Sequence, residues 1–235
     1  MVYAPAAPPP YGYQQPPPGY ESMSEARGPR APRYSLWVGG RLGLLVYGGG
    51  IYGDNNVQGT VESMHSFVTD GLGLEADVGA RISRRYIPYL ALELGLVGPG
   101  SHFQNGASSA GTSFIGVGFR FLAGDVDAVS FASDLSFGFR RLEVTNGGQT
   151  WATTAFEFLR IGLGADIRLT DYFTLSPMVT LSGGTFTETT GSVSFADGGG
   201  TPDYVNHGQI PGGYQTSYYS LVLGCGAHFD LFGSP

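Results

Sequence analysis

The stretch Gly71-Leu72-Gly73-Leu74-Glu75-Ala76-Asp77-Val78-Gly79-Ala80-Arg81-Ile82 alternates without a break. Leu72, Leu74, Ala76, Val78, Ala80 and Ile82 fall on one face; Gly71, Gly73, Glu75, Asp77, Gly79 and Arg81 fall on the other. Side chains of a β-strand point to opposite faces with period two, so this is a strand with one apolar and one polar side. Seven further stretches repeat the pattern, and the spacing predicts strands over 34–47, 67–82, 87–97, 112–123, 128–144, 152–169, 173–186 and 214–232. Nearly all are long enough to cross a bilayer as a tilted strand, which takes roughly 9–11 residues.

The apolar sets agree from strand to strand. They include Leu36, Val38, Leu42, Leu44 and Val46; Leu90, Leu92, Leu94 and Leu96; and Ile115, Val117, Phe119 and Phe121. Two more are Val129, Phe131, Leu135, Phe137 and Phe139, and Leu159, Ile161, Leu163, Ala165, Ile167 and Leu169. On the opposite parity lie Arg41, Arg81, Arg120, Arg140, Arg160 and Arg168 against Glu75, Asp77, Glu93, Asp134, Asp166 and Asp230. If the apolar face met a soluble core, those mid-strand charges would form the outer surface. A soluble surface carries roughly 25–35% charged residues of mixed type, and this chain has 13% charged residues and no lysine. The opposite arrangement costs less: apolar residues face lipid, and six arginines pair with six carboxylates inside, as a structural plug or as the lining of an ion or solute path.

The connections point the same way. Ser83-Arg84-Arg85-Tyr86, Gly124-Asp125-Val126-Asp127 and Thr170-Asp171-Tyr172 are tight, whereas the links after strands one, three, five and seven are mostly longer and polar. Consecutive antiparallel strands place the short links at one rim and the long ones at the other, as in outer-membrane barrels. Tyr34, Tyr86, Tyr89, Phe121, Tyr172, Phe173, Phe229 and Phe232 are expected to form an aromatic girdle at the short-turn rim. Tyr47, Phe67, Trp151, Tyr214 and Tyr218 are expected to form another at the long-loop rim. Pro177 removes a ladder donor from strand seven, and a bulge is expected to accommodate it.

Composition narrows the functional classes. The 235 residues suffice for one barrel and a tail, and no run approaches the roughly 18 continuous apolar residues of a membrane-spanning helix. A net charge of −7 argues against nucleic acid as partner. Cys225 stands alone, on the apolar parity, and reads as a small buried hydrophobe. Residues 1–33 carry Pro8-Pro9-Pro10 and Pro16-Pro17-Pro18 among tyrosines and glycines, a composition that cannot pack a core. They are expected to be a disordered spacer, or alternatively a recognition segment for an envelope partner, ahead of a barrel over 34–232. A secretory signal is expected of such a barrel; the opening Met1-Val2-Tyr3-Ala4-Pro5 shows none, so the signal is taken to be missing from this sequence.

Two segments carry a family resemblance. Thr170-Asp171-Tyr172-Phe173-Thr174-Leu175-Ser176-Pro177 resembles the tight turn and strand start of the OmpA/OmpX-type eight-stranded outer-membrane barrels, where an aromatic and a later proline recur. Gly224-Cys225-Gly226-Ala227-His228-Phe229-Asp230-Leu231-Phe232 resembles their terminal insertion signal, although Gly233-Ser234-Pro235 follow it here. The resemblance implies an all-β, antiparallel, up-and-down transmembrane barrel in the outer membrane of a Gram-negative cell envelope. Its expected partners are outer-membrane lipids and, during insertion, the barrel-assembly machinery.

Catalysis is not expected. His65 beside Ser66, His102 beside Ser101, and His207 near Asp203 fall in exterior loops, and a Ser-His-acid set needs spatial adjacency that sequence does not give. His228 is expected inside, paired with Asp230 or a neighbouring carboxylate. No metal-ligand spacing is present, and no cofactor is expected. The leading expectation is a non-enzymatic, membrane-anchored protein whose exterior loops contact surface ligands. The alternatives are a narrow, porin-like transporter for small or apolar solutes, and a soluble lipocalin-type ligand-binding barrel.

Overall fold

The computed structural model describes residues 28–53, 61–103, 108–191 and 208–233. Eight long strands form the wall: β1 (Tyr34–Gly53), β3 (Val68–Ile82), β4 (Tyr86–Pro99), β5 (Ser108–Gly124), β6 (Val129–Asn146), β7 (Gln149–Arg168), β8 (Phe173–Gly191) and β10 (Ser217–Leu231). Two short strands, β2 (Val61–Ser63) and β9 (Gly208–Gln209), an α-helical turn, α1 (Met64–Phe67), and a 3-10 turn at Ser101–Phe103 decorate the long-loop end.

Each wall strand pairs antiparallel with the next, and β10 pairs with both β8 and β1. The last seam runs from Leu36 opposite Leu231 to Gly49 opposite Tyr218, so the sheet closes on itself and leaves no wall edge unpaired. In a membrane that closure is obligatory, because hydrocarbon offers no partner for a free N–H or C=O.

The two faces divide as alternation requires. Leu44, Leu90, Leu135 and Phe139 all stand outside the ring, and Ile115 is 63% exposed. An apolar surface of this extent around a whole barrel has no place in water. The soluble lipocalin-type alternative requires the apolar face to be the interior, and that arrangement is absent here. On β6 the outward residues run from Val129 through Phe139 and then change to Arg141 and Glu143, an exposed pair 3.3 Å apart. About ten steps of ~3.3 Å, tilted by roughly 40°, span about 25 Å, the height of the apolar band of outer-membrane barrels.

Several sequence expectations need correction. The link between β6 and β7 is not a loop: the strands run to Asn146 and from Gln149, joined by Gly147 and Gly148 with φ of 57° and 82°. Two consecutive positive φ values match the right-handed twist of a hairpin and are open to glycine at little cost. Pro177 is not on a bulge. It faces outward, the ladder to β7 lapses opposite it, and pairing resumes in the same register at Ile167 and Leu175. Cys225 also faces outward, into the apolar band rather than a protein core.

The long-loop aromatic girdle is corrected most. Tyr47, Phe67, Trp151 and Tyr218 are buried within the barrel, packed with Leu45, Met64, Phe103 and Phe186. Tyr89, assigned to the other girdle, also points inward, beside Trp37. The short-turn girdle otherwise stands on the outside, where Tyr86 stacks on Phe121 at 5.5 Å and Phe173 meets Phe229 at 5.0 Å. Residues 1–27 of the proline-rich segment lie outside the described residues. Its last part, 28–33, is not free: Ala31 is buried, its N–H donates to Asp127 at 2.7 Å, and the Arg30 N–H donates to Asp171 at 2.6 Å.

Candidate functional site

The lumen holds three layers between its two mouths. Apolar and aromatic side chains fill the long-loop end, a charge network fills the centre, and a mixed polar and aromatic layer fills the short-turn end. All twelve charged residues that parity assigned to the interior are buried there.

The centre is built from neighbouring strands. Arg120 on β5 grips Asp134 on β6 with both ends of its fork: Nε donates to Oδ1 at 2.7 Å and Nη2 to Oδ2 at 2.8 Å. Arg41 on β1 reaches across the lumen to the same carboxylate at 3.2 Å and lies 3.5 Å from Glu75. Arg160 donates to Glu75 at 2.5 Å and to Glu93 at 2.6 Å. Arg140 donates to Glu93 at 2.9 Å and to Glu157 at 2.6 Å. Two tyrosines join this layer to the apolar one above: the Tyr47 hydroxyl accepts from Arg140 at 2.9 Å, and the Tyr218 hydroxyl donates to Glu157 at 2.7 Å. Below, Phe114 lies under both Arg140 and Arg160, and Trp37 under Arg120, as cation–π platforms.

Glu157 is the member that sequence reasoning missed. Its odd number places it outward with Leu159 and Ile161, yet it is fully buried. The cause is a bulge in β7: Glu157 opposes Gly184 and Leu159 opposes Gly183, leaving Phe158 as the extra residue. Phe158 and Leu159 both face outward, and parity reverses on either side of them. The carboxylate thus lands between Arg140 and Arg160. The pattern Phe156-Glu157-Phe158 was the available signal, since a charge flanked by outward aromatics belongs to the opposite face.

The short-turn end has a separate arrangement. Asp230 receives Arg81 at 2.7 Å, Arg168 at 2.8 Å and the Ser35 hydroxyl at 2.6 Å. His228, expected beside Asp230 or a neighbouring carboxylate, has the second kind of partner: its Nε2 lies 3.3 Å from Asp77. Its ring stacks on Trp37 at 4.3 Å. Gly39 makes room, for a Cβ there would lie 2.0 Å from the imidazole. Ser176 sits 3.1 Å from the other ring nitrogen and donates to Asp166 at 2.6 Å. Serine, histidine and carboxylate are therefore adjacent, but Ser176 is fully buried and its proton is committed to Asp166. A nucleophile must face its substrate, so this set is a packing device. Of the loop histidines, His65 lies 3.4 Å from Asp70 and His102 lies 2.9 Å from Glu62; His207 is outside the described residues.

A single layer of paired guanidinium and carboxylate groups can neutralise its own charge, brace the strands across the lumen, and close the passage. It offers no electrophile or free base aimed at an opening.

No protein-family model matches the chain, and no curated protein does either. Solved structures do. Neisserial surface protein A aligns over 84% of this chain and 99% of its own, at 12% identity and a TM-score of 0.54. The outer membrane protein OprG from Pseudomonas aeruginosa aligns over 86% and 98%, at 9% identity and 0.43. Ail, the attachment invasion locus protein of Yersinia pestis, aligns over 85% and 100%, at 11% identity and 0.38. With the closed ring, the apolar outer wall and the filled lumen, the likeness to neisserial surface protein A shows the fold to be an eight-stranded transmembrane β-barrel.

Proposed function

We propose that the protein is a non-enzymatic integral protein of the bacterial outer membrane, a rigid anchor that holds its long-loop end outside the lipid for contact with surface ligands. The observation that carries this reading is the division of faces: leucine and phenylalanine outside, twelve predicted charges plus Glu157 sealed inside. The long-loop end supports the second half of it. There β1, β6, β7 and β8 rise past the apolar band and enclose an apolar core of their own around Phe67 and Trp151. A stiff stem of that kind presents loops at a fixed height. Outer-membrane lipids, and the assembly machinery during insertion, are the partners that fit the wall and the terminal strand.

The test is membrane fractionation joined to a heat-modifiability gel. A compact, fast-migrating band in the unheated outer-membrane fraction is expected; recovery as a detergent-free soluble monomer overturns the reading. Planar-bilayer recording separates anchor from transporter. The plugged lumen predicts no stable openings, and openings abolished by Arg120→Ala or Glu93→Ala would establish transport instead.

A further inference from the structure

We propose that the protein binds one phospholipid at a built site on β1, β3, β4 and β5, with the phosphate at the short-turn rim and an acyl chain up the wall. The inference rests on the membrane reading above and adds a specific ligand to it.

The headgroup end is a hollow of about 490 Å³ lined by Arg30, Ala31, Arg33, Arg84 and Asp127. Arg84 is committed: it pairs with Asp127 and donates to the Ala31 carbonyl at 3.0 Å. The rim carboxylates are committed as well. Asp127 also accepts from the Ala31 N–H, Asp171 from the Arg30 N–H, and Asp125 from the Asp127 N–H. Arg30 and Arg33 are both exposed, and neither makes an ion pair among the described residues. Arg33 rests on the Tyr34 ring at 5.6 Å. Two uncommitted guanidiniums beside an open hollow suit the oxygens of a phosphodiester. The long-loop rim differs, because its exposed Arg141 is already paired with Glu143.

Directly above, the strand register sets out the rest of the site. Tyr34, Ile82, Tyr86 and Phe121 pair in one row, an interfacial belt at the level of a glycerol backbone. Over that row lies an apolar hollow of about 530 Å³ whose lining includes Leu36, Val78, Ala80, Pro88 and Leu90. A second, of about 290 Å³, continues upward from the shared Val78 and Leu90 to Ala76, Leu92 and Ile115. The hollows exist because β3 presents alanine at 76 and 80 between larger neighbours. From Ala80 to Ala76 the strand climbs about 13 Å, a length suited to an acyl chain. Cationic pocket, aromatic belt and apolar furrow follow one another in the order of a phospholipid's own parts. A second copy of the chain would fill the furrow but leave the arginines without an anion, so the lipid is the occupant that uses every part.

The experiment is native mass spectrometry of the full chain released from detergent micelles, with phosphatidylglycerol as probe. Wild type is expected to retain one lipid. Arg30→Gln/Arg33→Gln is expected to lower the retained fraction about tenfold, the effect of losing charge-assisted contacts. Ala80→Trp, or Ala76→Phe if that variant does not fold on the gel, should lower it similarly by filling the furrow. Millimolar inorganic phosphate should leave the lipid in place. Equal retention by either class of variant overturns the proposal, as does displacement by phosphate alone or equal retention of diacylglycerol. A wild-type barrel that inserts into vesicles yet keeps no lipid refutes this site and leaves the anchor standing, whereas failure to insert refutes both.

Discussion

At the scale of single residues, the interior depends on each guanidinium having a carboxylate in reach. Glu157 serves two of them and also takes the Tyr218 hydroxyl. Glu157→Ala removes one partner of a buried pair, which costs about 3–5 kcal/mol where it leaves the other charge uncompensated. The expected result is a lower urea midpoint, read from the unheated gel band, with Glu157→Gln retaining part of the stability. Gly39 tests the lower layer. The close approach of His228 leaves no space for a methyl, so Gly39→Ala should destabilise by about 1–3 kcal/mol on the same gel. On the outer wall, Leu135→Arg would put a charge near mid-band and is expected to cost about 2–4 kcal/mol, measurable as weakened refolding into vesicles.

Elements rather than residues decide how much can be read in advance. Uninterrupted alternation, as in β3 and β4, assigns every side chain to its face, which is why the six arginines and six carboxylates were legible. A bulge defeats parity, and Glu157 was lost to the one in β7. Alternation also sends Tyr47 and Tyr218 inward, next to outward Val46 and Tyr219, so grouping them by height as a girdle overlooked their parity; Trp151 was hidden by the same β7 bulge, and Phe67 by its place on the turn α1. Composition alone hid the strap at 28–33, whose anchoring comes from turns far away in sequence. That strap is sensitive to acid. Partial burial would raise the Asp127 carboxyl, but the Ala31 N–H and the Arg84 guanidinium outweigh it and hold it below the usual aspartate range. A depressed folded value means the contact stabilises the strap above about pH 3.9 and loses that contribution as pH falls through the lower value. A spin label at Gly28 should therefore become mobile in strong acid, and Asp127→Asn should mobilise it at neutral pH. A label equally immobile under both conditions would remove Asp127 from the role.

For the molecule as a whole, the seam between β1 and β10 governs how the structure comes into being. Tyr34 begins the wall and Leu231 ends it, and the ring is incomplete until these distant segments meet. Contacts of such long sequence separation are slow to form and leave strand edges exposed meanwhile. A chain lacking residues 217–231 should therefore yield no compact unheated band and should stay open to added protease, rather than forming a slightly weakened barrel. Synthesis delivers β10 after the other seven wall strands, so each nascent copy stays unsealed, with β1 and β8 lacking a neighbour, until that segment arrives to shut the circle.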